Sequence, residues 1–180
     1  GQASAEILDL IEAHVKPGVS TQELNDICHE ATLERGGIPA PLNYKGFPKS
    51  ICTSVNEVVC HGIPSIKHKL KEGDIINIDV TTIIDGFHGD TSRMYYVGEV
   101  ADRARQLCEA TKEAMWEGIR QVKVGARIGD IGAAIQEFAE GKGYGVVREF
   151  VGHGIGRTFH EEPQIPHYGK KGKGSRLQAG

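Results

Sequence analysis

No stretch of this chain is apolar over the roughly 20 residues that a membrane-spanning helix requires. Its first ten residues, GQASAEILDL, lack the basic and then apolar order of a secretory signal. Neither sign of charge dominates: Lys and Arg number 21, Asp and Glu 24, and the net charge of −3 is spread without long blocks. That balance gives no support to bulk affinity for DNA or for a membrane surface. Cys28, Cys52, Cys60 and Cys108 form no Cys-x-x-Cys pair and read as reduced thiols of a cytosolic protein. Three familiar motifs are also missing. HEEPQ at 160–164 has no second His four residues after the first, so it is not a zincin helix. In GKKGKGS at 169–175, Gly174 is followed by Ser175 rather than by Lys and then Ser or Thr, which excludes a P-loop. GHGIGR lacks the third glycine spacing of a dinucleotide loop.

What is present is a globular composition, 39% hydrophobic and 25% charged over 180 residues, enough for one domain with a proper core. Glycine is abundant, 24 residues, and dispersed, which points to many tight turns and close backbone approaches. Ile7, Leu8 and Ile11 fall at helical spacing within Ala5–His14, and Pro17-Gly18 ends that helix. Ser20-x-x-Glu23 is a capping box opening a helix to about Arg35, with Gly36-Gly37 as its stop. Residues 51–60 read as two short strands around Asn56-Glu57. Asp102–Gln121, with Asp102 as its cap, and Gly129–Ala139 read as helices, and short strands follow.

The chain repeats itself. VKPGVSTQELNDICHEATLERGG at 15–37 aligns with VKVGARIGDIGAAIQEFAEGKGY at 122–144, an offset of 107. At that offset Leu70 and Gly73 also meet Leu177 and Gly180. Two copies of a helix-plus-hairpin unit predict a pseudo-two-fold α+β domain over 1–180, with halves of about 1–98 and 99–180 and a site between them.

The residues with chemistry cluster in three places. In NIDVTTIIDGFHGDTSR at 77–93, a two-residue Asp85-Gly86 turn would pair Ile84 with Phe87 and set Asp79 opposite Ser92. Asp90, two residues from Ser92, would then share a face with Asp79, roughly 7–8 Å away at Cα. Two half-buried anions repel unless one is protonated or a cation bridges them, and a pair of divalent ions about 3.5–4 Å apart would fit. A solvent-facing pair without a role is the weaker alternative, because buried charge is costly. In VGHGIGRTFHEEP at 151–163, glycines flank His153, and His160 follows seven residues on. In EVVCHGIP at 57–64, His61 stands where an apolar run opens into a turn, although a lone His is usually an ordinary surface or core residue.

NYKGFPKSICTSVNEVVCHGIP (43–64), NIDVTTIIDGFHGDTSRM (77–94) and GHGIGRTFHEEPQIPHYG (152–169) resemble the type I methionine aminopeptidases of the pita-bread fold, a likeness that runs over essentially the whole chain. Type II enzymes and Xaa-Pro aminopeptidases share the metal plan but differ around the first histidine. The resemblance implies two divalent metal ions (Co, Mn, Fe, Zn or Ni), with Asp79, Asp90 and His153 as ligands, Asp79 bidentate and Asp90 bridging. It implies that His61 contacts the substrate beside the scissile bond and that His160 steadies the oxyanion, the two acting as catalytic residues. Tyr44, Cys52 and Phe159 match the wall of the methionine pocket, which suits a flexible, polarisable side chain. The implied substrate is the N-terminal Met of nascent polypeptides, handled by a cytoplasmic monomer without DNA or membrane contact. Transient ribosome contact through the Lys-rich 170–176 is a minority reading beside a solvated loop.

The family pattern also includes two further glutamates, one expected to act as general base, and the chain ends before either. The repeat carries Asp79 to position 186, six past Gly180. The resemblance also implies that the chain begins within the family's first helix. The expectation is therefore a fragment whose second half is incomplete, binding metal weakly and turning over little peptide by itself. An Xaa-Pro aminopeptidase and a non-catalytic binding module of the same fold stand as the alternatives.

Overall fold

The computed structural model describes residues 1–179. The chain forms two compact units, the first made of Gly1–Ala104 and Ile155–Phe159, the second of Arg105–Gly154 and the described residues from His160 onward.

In the first unit, helices α1 (Gln2–Glu12) and α2 (Thr21–Glu34) precede strands β1 (Ile38–Pro39), β2 (Cys52–Val55), β3 (Ile75–Ile84) and β4 (Phe87–Tyr96). The β3–β4 turn has positive φ at both Asp85 and Gly86, 53° and 78°, a left-handed pair that matches the natural twist of two strands. That turn sets the predicted register: Ile84 pairs with Phe87, Asp79 with Ser92 and Thr81 with Asp90. β1 and β2 both pair antiparallel with β3, Ile38 facing Ile83 and Cys52 facing Asp79.

Side-chain alternation splits β3 into two faces. Ile76, Ile78 and Val80 are buried in a core with Ile7, Leu8 and Ile11 of α1 and Leu24 and Cys28 of α2. Each such aliphatic side chain contributes about 1.5–3 kcal/mol of burial. Polar anchors register α1 on this face: Ser4 Oγ donates to Gly89 O at 2.6 Å and meets Thr82 Oγ1 at 2.8 Å, and Tyr95 Oη donates to Leu8 O at 2.6 Å. Asn77, Asp79 and Thr81 therefore point away from the helices, together with Cys52, Ser92, Asp90 and His88 on the neighbouring strands.

The first helix begins at Gln2 rather than Ala5, one turn earlier than the apolar spacing shows. The two strands expected over 51–60 reduce to one. Asn56 takes φ 52°, donates its N–H to Ile75 O at 3.0 Å and its amide Nδ2 to Asp74 Oδ1 at 2.9 Å, so the chain leaves the sheet there.

The second unit holds most of α3 (Asp102–Ile119), all of α4 (Ile128–Gly141), and a small sheet of β5 (Gly152–Gly154) and β6 (Glu161–Ile165). Asp102 is the first residue of α3 rather than a cap outside it. This unit reuses the hydrogen bonds of the first at the sequence offset. Gly18 N–H donates to Leu70 O at 2.7 Å, and Gly125 N–H to Leu177 O at 3.0 Å. Leu70 N–H returns to Val19 O, and Leu177 N–H to Ala126 O, both at 2.8 Å. The isolated bridge Ser20–Lys69 has its counterpart in Arg127–Arg176. Gly18 and Gly125 share φ 89°, a left-handed turn that few other residues adopt. The Gly73–Gly180 match lies outside the described residues.

Capping follows the same pattern with a change of residue. Ser20 Oγ accepts the Glu23 N–H at 3.2 Å, while the Glu23 carboxylate accepts the Ser20 N–H at 2.8 Å. At the start of α4, Asp130 Oδ2 accepts the Arg127 N–H at 2.7 Å and Oδ1 accepts the Gly172 N–H at 2.7 Å. These two backbone donors hold the Asp130 carboxyl below its usual range.

Candidate metal centre

Asp79 and Asp90 lie on one face of the hairpin as diagonal neighbours, and their carboxyl groups are hydrogen-bonded to each other. Thr81, directly opposite Asp90, donates Oγ1–H to Asp90 Oδ1 at 2.9 Å and so orients that carboxylate. Burial, then the charge of Asp90, then the hydrogen bond between them push the Asp79 carboxyl up to about 7. The physical cause is plain: burial and a second carboxylate close by both disfavour the Asp79 anion, so Asp79 keeps its proton well above the usual carboxylate range unless a cation lies with the pair. Hard oxygen donors crowded together in this way fit a divalent cation, and binding would displace that proton.

Cys52, opposite Asp79 on β2, is buried, and burial followed by the charges of Asp79, Cys60 and Asp90 raises its thiol to about 12. Burial and Asp79 raise Cys60 as well. Both therefore remain neutral thiols at physiological pH, apolar in character and poor nucleophiles.

His61 takes φ 55°, a left-handed conformation uncommon outside glycine. It is held there by Gly62, whose carbonyl accepts the Thr53 N–H at 2.8 Å and whose N–H donates to Ser54 Oγ at 3.2 Å. A Cβ on Gly62 would overlap the Thr53 carbonyl oxygen, so glycine is what permits this approach.

Tyr44 lies 4.9 Å from Phe159, ring to ring and tilted by 54°. Phe159 is also stacked on His88 at 5.4 Å and 21°. His88 was not among the residues singled out from the sequence, although the hairpin register puts it two residues from Asp90 on the same face.

In the second unit, His153 and His160 are neighbours, their ring centroids 4.3 Å apart. His153 Nδ1 lies 2.8 Å from Gly154 O. A carbonyl can only accept, so Nδ1 carries a proton, which leaves Nε2 as the nitrogen able to ligate a metal. Gly154 is required locally, because a Cβ there would overlap the Glu162 carbonyl oxygen. Among the described residues, no three His, Cys, Asp or Glu side chains gather into a ready-made metal cluster. A cavity of about 420 Å³ lined by Lys67, His68, Lys69 and Lys71 contains none of the candidate site residues.

The model of metallopeptidase family M24 matches residues 1–180, and the chain belongs to that family. It is thus a metal-dependent hydrolase, with a divalent cation as cofactor. Among its relatives, the methionine aminopeptidase of Rickettsia prowazekii is 59% identical over 180 residues, covering 100% of this chain and 69% of that protein. The crystal structure of that enzyme matches 98% of this chain and 71% of its own, with a TM-score of 0.96. The methionine aminopeptidase of Thermotoga maritima matches the same shares with a TM-score of 0.95 at 38% identity. The X-Pro aminopeptidase of Thermotoga maritima, 22% identical, covers 92% of this chain and 45% of its own with a TM-score of 0.77, a likeness of fold alone. Among the described residues no helix is long and apolar enough to cross a membrane.

Proposed function

We propose that this chain serves the removal of the N-terminal methionine of nascent proteins and peptides by hydrolysis of the first peptide bond, with Asp79, Asp90 and His153 among the ligands of two divalent ions. The observation that carries the reading is the Asp79–Asp90 pair: two carboxylates on one sheet face, where burial and mutual repulsion disfavour the Asp79 anion unless a cation joins them. The proton-bearing Nδ1 of His153 supports its place in the set. When bound, a divalent ion supplies Lewis-acid polarisation of the scissile carbonyl and acidifies the attacking water.

The chain's own residues do the rest. Thr81 fixes the orientation of the Asp90 carboxylate. His61, held in its left-handed conformation by Gly62, contacts the substrate beside the scissile bond. His160 donates a hydrogen bond to the oxyanion as the carbonyl becomes tetrahedral. Tyr44, Phe159 and the neutral thiol of Cys52 form an apolar wall for the methionine side chain, with sulfur–aromatic contact as part of the attraction. The reading includes a cytoplasmic location, which four free cysteines support, and a monomeric state. The Lys-rich 170–176 is the segment that would touch a ribosome.

Hydrolysis of Met-Gly-Met against an Xaa-Pro peptide tests the substrate, and calorimetric titration of Mn²⁺ or Co²⁺ into the intact protein tests the ligands. Methionine release is expected to dominate, with metal binding lost in Asp79→Asn and Asp90→Asn and weakened in His153→Ala. Preferred cleavage of Xaa-Pro would overturn the substrate assignment, and undiminished metal binding by Asp79→Asn would overturn the ligand assignment.

A further inference from the structure

We infer that His88 is a positioning residue for substrate specificity: it locks the segment Ile155–Phe159 and fixes the ring of Phe159 against the methionine side chain. This rests on the reading of Phe159 as part of the methionine pocket. The support is a set of contacts that all begin at the tip of the β3–β4 hairpin. The His88 N–H donates to Gly156 O at 2.8 Å, and His88 Nδ1 reaches the same oxygen at 3.0 Å. Since a carbonyl accepts, Nδ1 is the protonated nitrogen, and the imidazole plane is set by that bond. The same ring stacks on Phe159 at 5.4 Å and 21°. Beside it, the Arg157 guanidinium lies 4.3 Å from the Phe87 ring centroid.

Phe159 is thus flanked by two rings of different kinds, Tyr44 at 4.9 Å and His88 at 5.4 Å. Tyr44 comes from a short 3-10 turn, Tyr44–Gly46, whereas His88 comes from a ten-residue strand paired along its whole length. A group on a well-paired strand holds a neighbour more rigidly than one on a turn, which makes His88 the better reference for the Phe159 ring. His88 shares the sheet face of Asp90 and Asp79, so the hairpin that carries both carboxylates also sets the position of the pocket wall. Chemistry and side-chain selection would then share one rigid reference.

The test is steady-state hydrolysis of Met-Gly-Met and Leu-Gly-Met by the intact enzyme, with Mn²⁺ titration and thermal unfolding as controls. His88→Ala is expected to raise KM for the Met peptide about tenfold, the scale of one aromatic contact plus one hydrogen bond, with kcat and Mn²⁺ affinity within about twofold of wild type. Discrimination against the Leu peptide should fall with it. His88→Phe, which keeps the stack, and His88→Gln, which keeps a donor, should each recover part of the loss and serve if His88→Ala fails to fold. Wild-type KM and discrimination in His88→Ala or in both conservative variants, with Phe159→Ala impaired, would overturn the positioning role and leave the pocket assignment standing. A Phe159→Ala enzyme indistinguishable from wild type would overturn both.

Discussion

Gly62→Ala places one methyl group where the structure has no room for it. The new Cβ would overlap the Thr53 carbonyl oxygen, lie 2.8 Å from the carbonyl carbon and 3.1 Å from Ser54 Cα, all of them backbone atoms of β2. Backbone in a paired strand cannot rotate aside as a side chain can, so residues 61–63 must retreat. Retreat breaks two hydrogen bonds, Thr53 N–H to Gly62 O at 2.8 Å and Gly62 N–H to Ser54 Oγ at 3.2 Å. Each is worth about 1 kcal/mol, and leaving the Thr53 N–H without its acceptor beside a buried strand adds about 1–2 kcal/mol. The expected loss is therefore about 3–4 kcal/mol, a fall in Tm of roughly 6–16 °C for a protein of this size. His61 moves with the retreat, so kcat/KM for Met-Gly-Met should drop at least tenfold, the scale of a misplaced substrate contact. Gly141→Ala is the control. No atom lies within 4 Å of its Cβ position, and it stands in the last turn of α4, so it should be neutral or stabilising by up to about 1 kcal/mol. Differential scanning calorimetry and peptide hydrolysis on both variants decide the matter. A Gly62→Ala protein with wild-type Tm and kcat/KM would refute the close-approach argument.

Other perturbations give equally definite outcomes. Because the folded metal-free protein holds the Asp79 proton up to about 7, its stability is fully present below the ordinary value of 3.8 and is lost as pH rises through 7. Urea unfolding in EDTA should show a decline on the order of 2–4 kcal/mol across that window. Asp79→Asn should flatten that decline, ending more stable than wild type at pH 8 but without activity; parallel pH curves would contradict the raised Asp79 equilibrium. Thr53 Oγ1 is buried on the helix-facing side of β2 and has no hydrogen-bond partner, so Thr53→Val should stabilise by about 1 kcal/mol in chemical denaturation. Ser20→Ala removes the acceptor for the Glu23 N–H and should cost about 1 kcal/mol by the same measurement, with kcat unchanged.

Much of the first unit was legible in the chain because it is governed by short-range chemistry. Asp85-Gly86 is a turn that only strands of matching twist can flank, and side-chain alternation then decides which residues face each other. The shared face of Asp79 and Asp90 follows from those two facts without any knowledge of the core. The capping box at Ser20 and the left-handed Gly18, Gly36, Gly125 and Gly143 are likewise local, and they mark the repeat in both sequence and hydrogen bonding.

Other features depend on contacts between residues far apart in the chain, and local pattern carries no information about them. Val58 and Val59 look like strand residues, yet β3 ends its pairing with β2 at Val55, and both side chains are exposed. Nothing near His88 in sequence announces Gly156 or Phe159, some 70 positions away, which its backbone and ring hold. The protonation of Asp79 is of the same kind, since an aspartate next to Ile78 and Val80 acquires its shifted equilibrium from the burial that β2 completes and then from Asp90 across the hairpin. Sequence determined which residues could form the turn, the caps and the carboxylate pair. Tertiary structure alone decided their electrostatic environment and their neighbours, because burial and non-local packing exist only once the chain has folded.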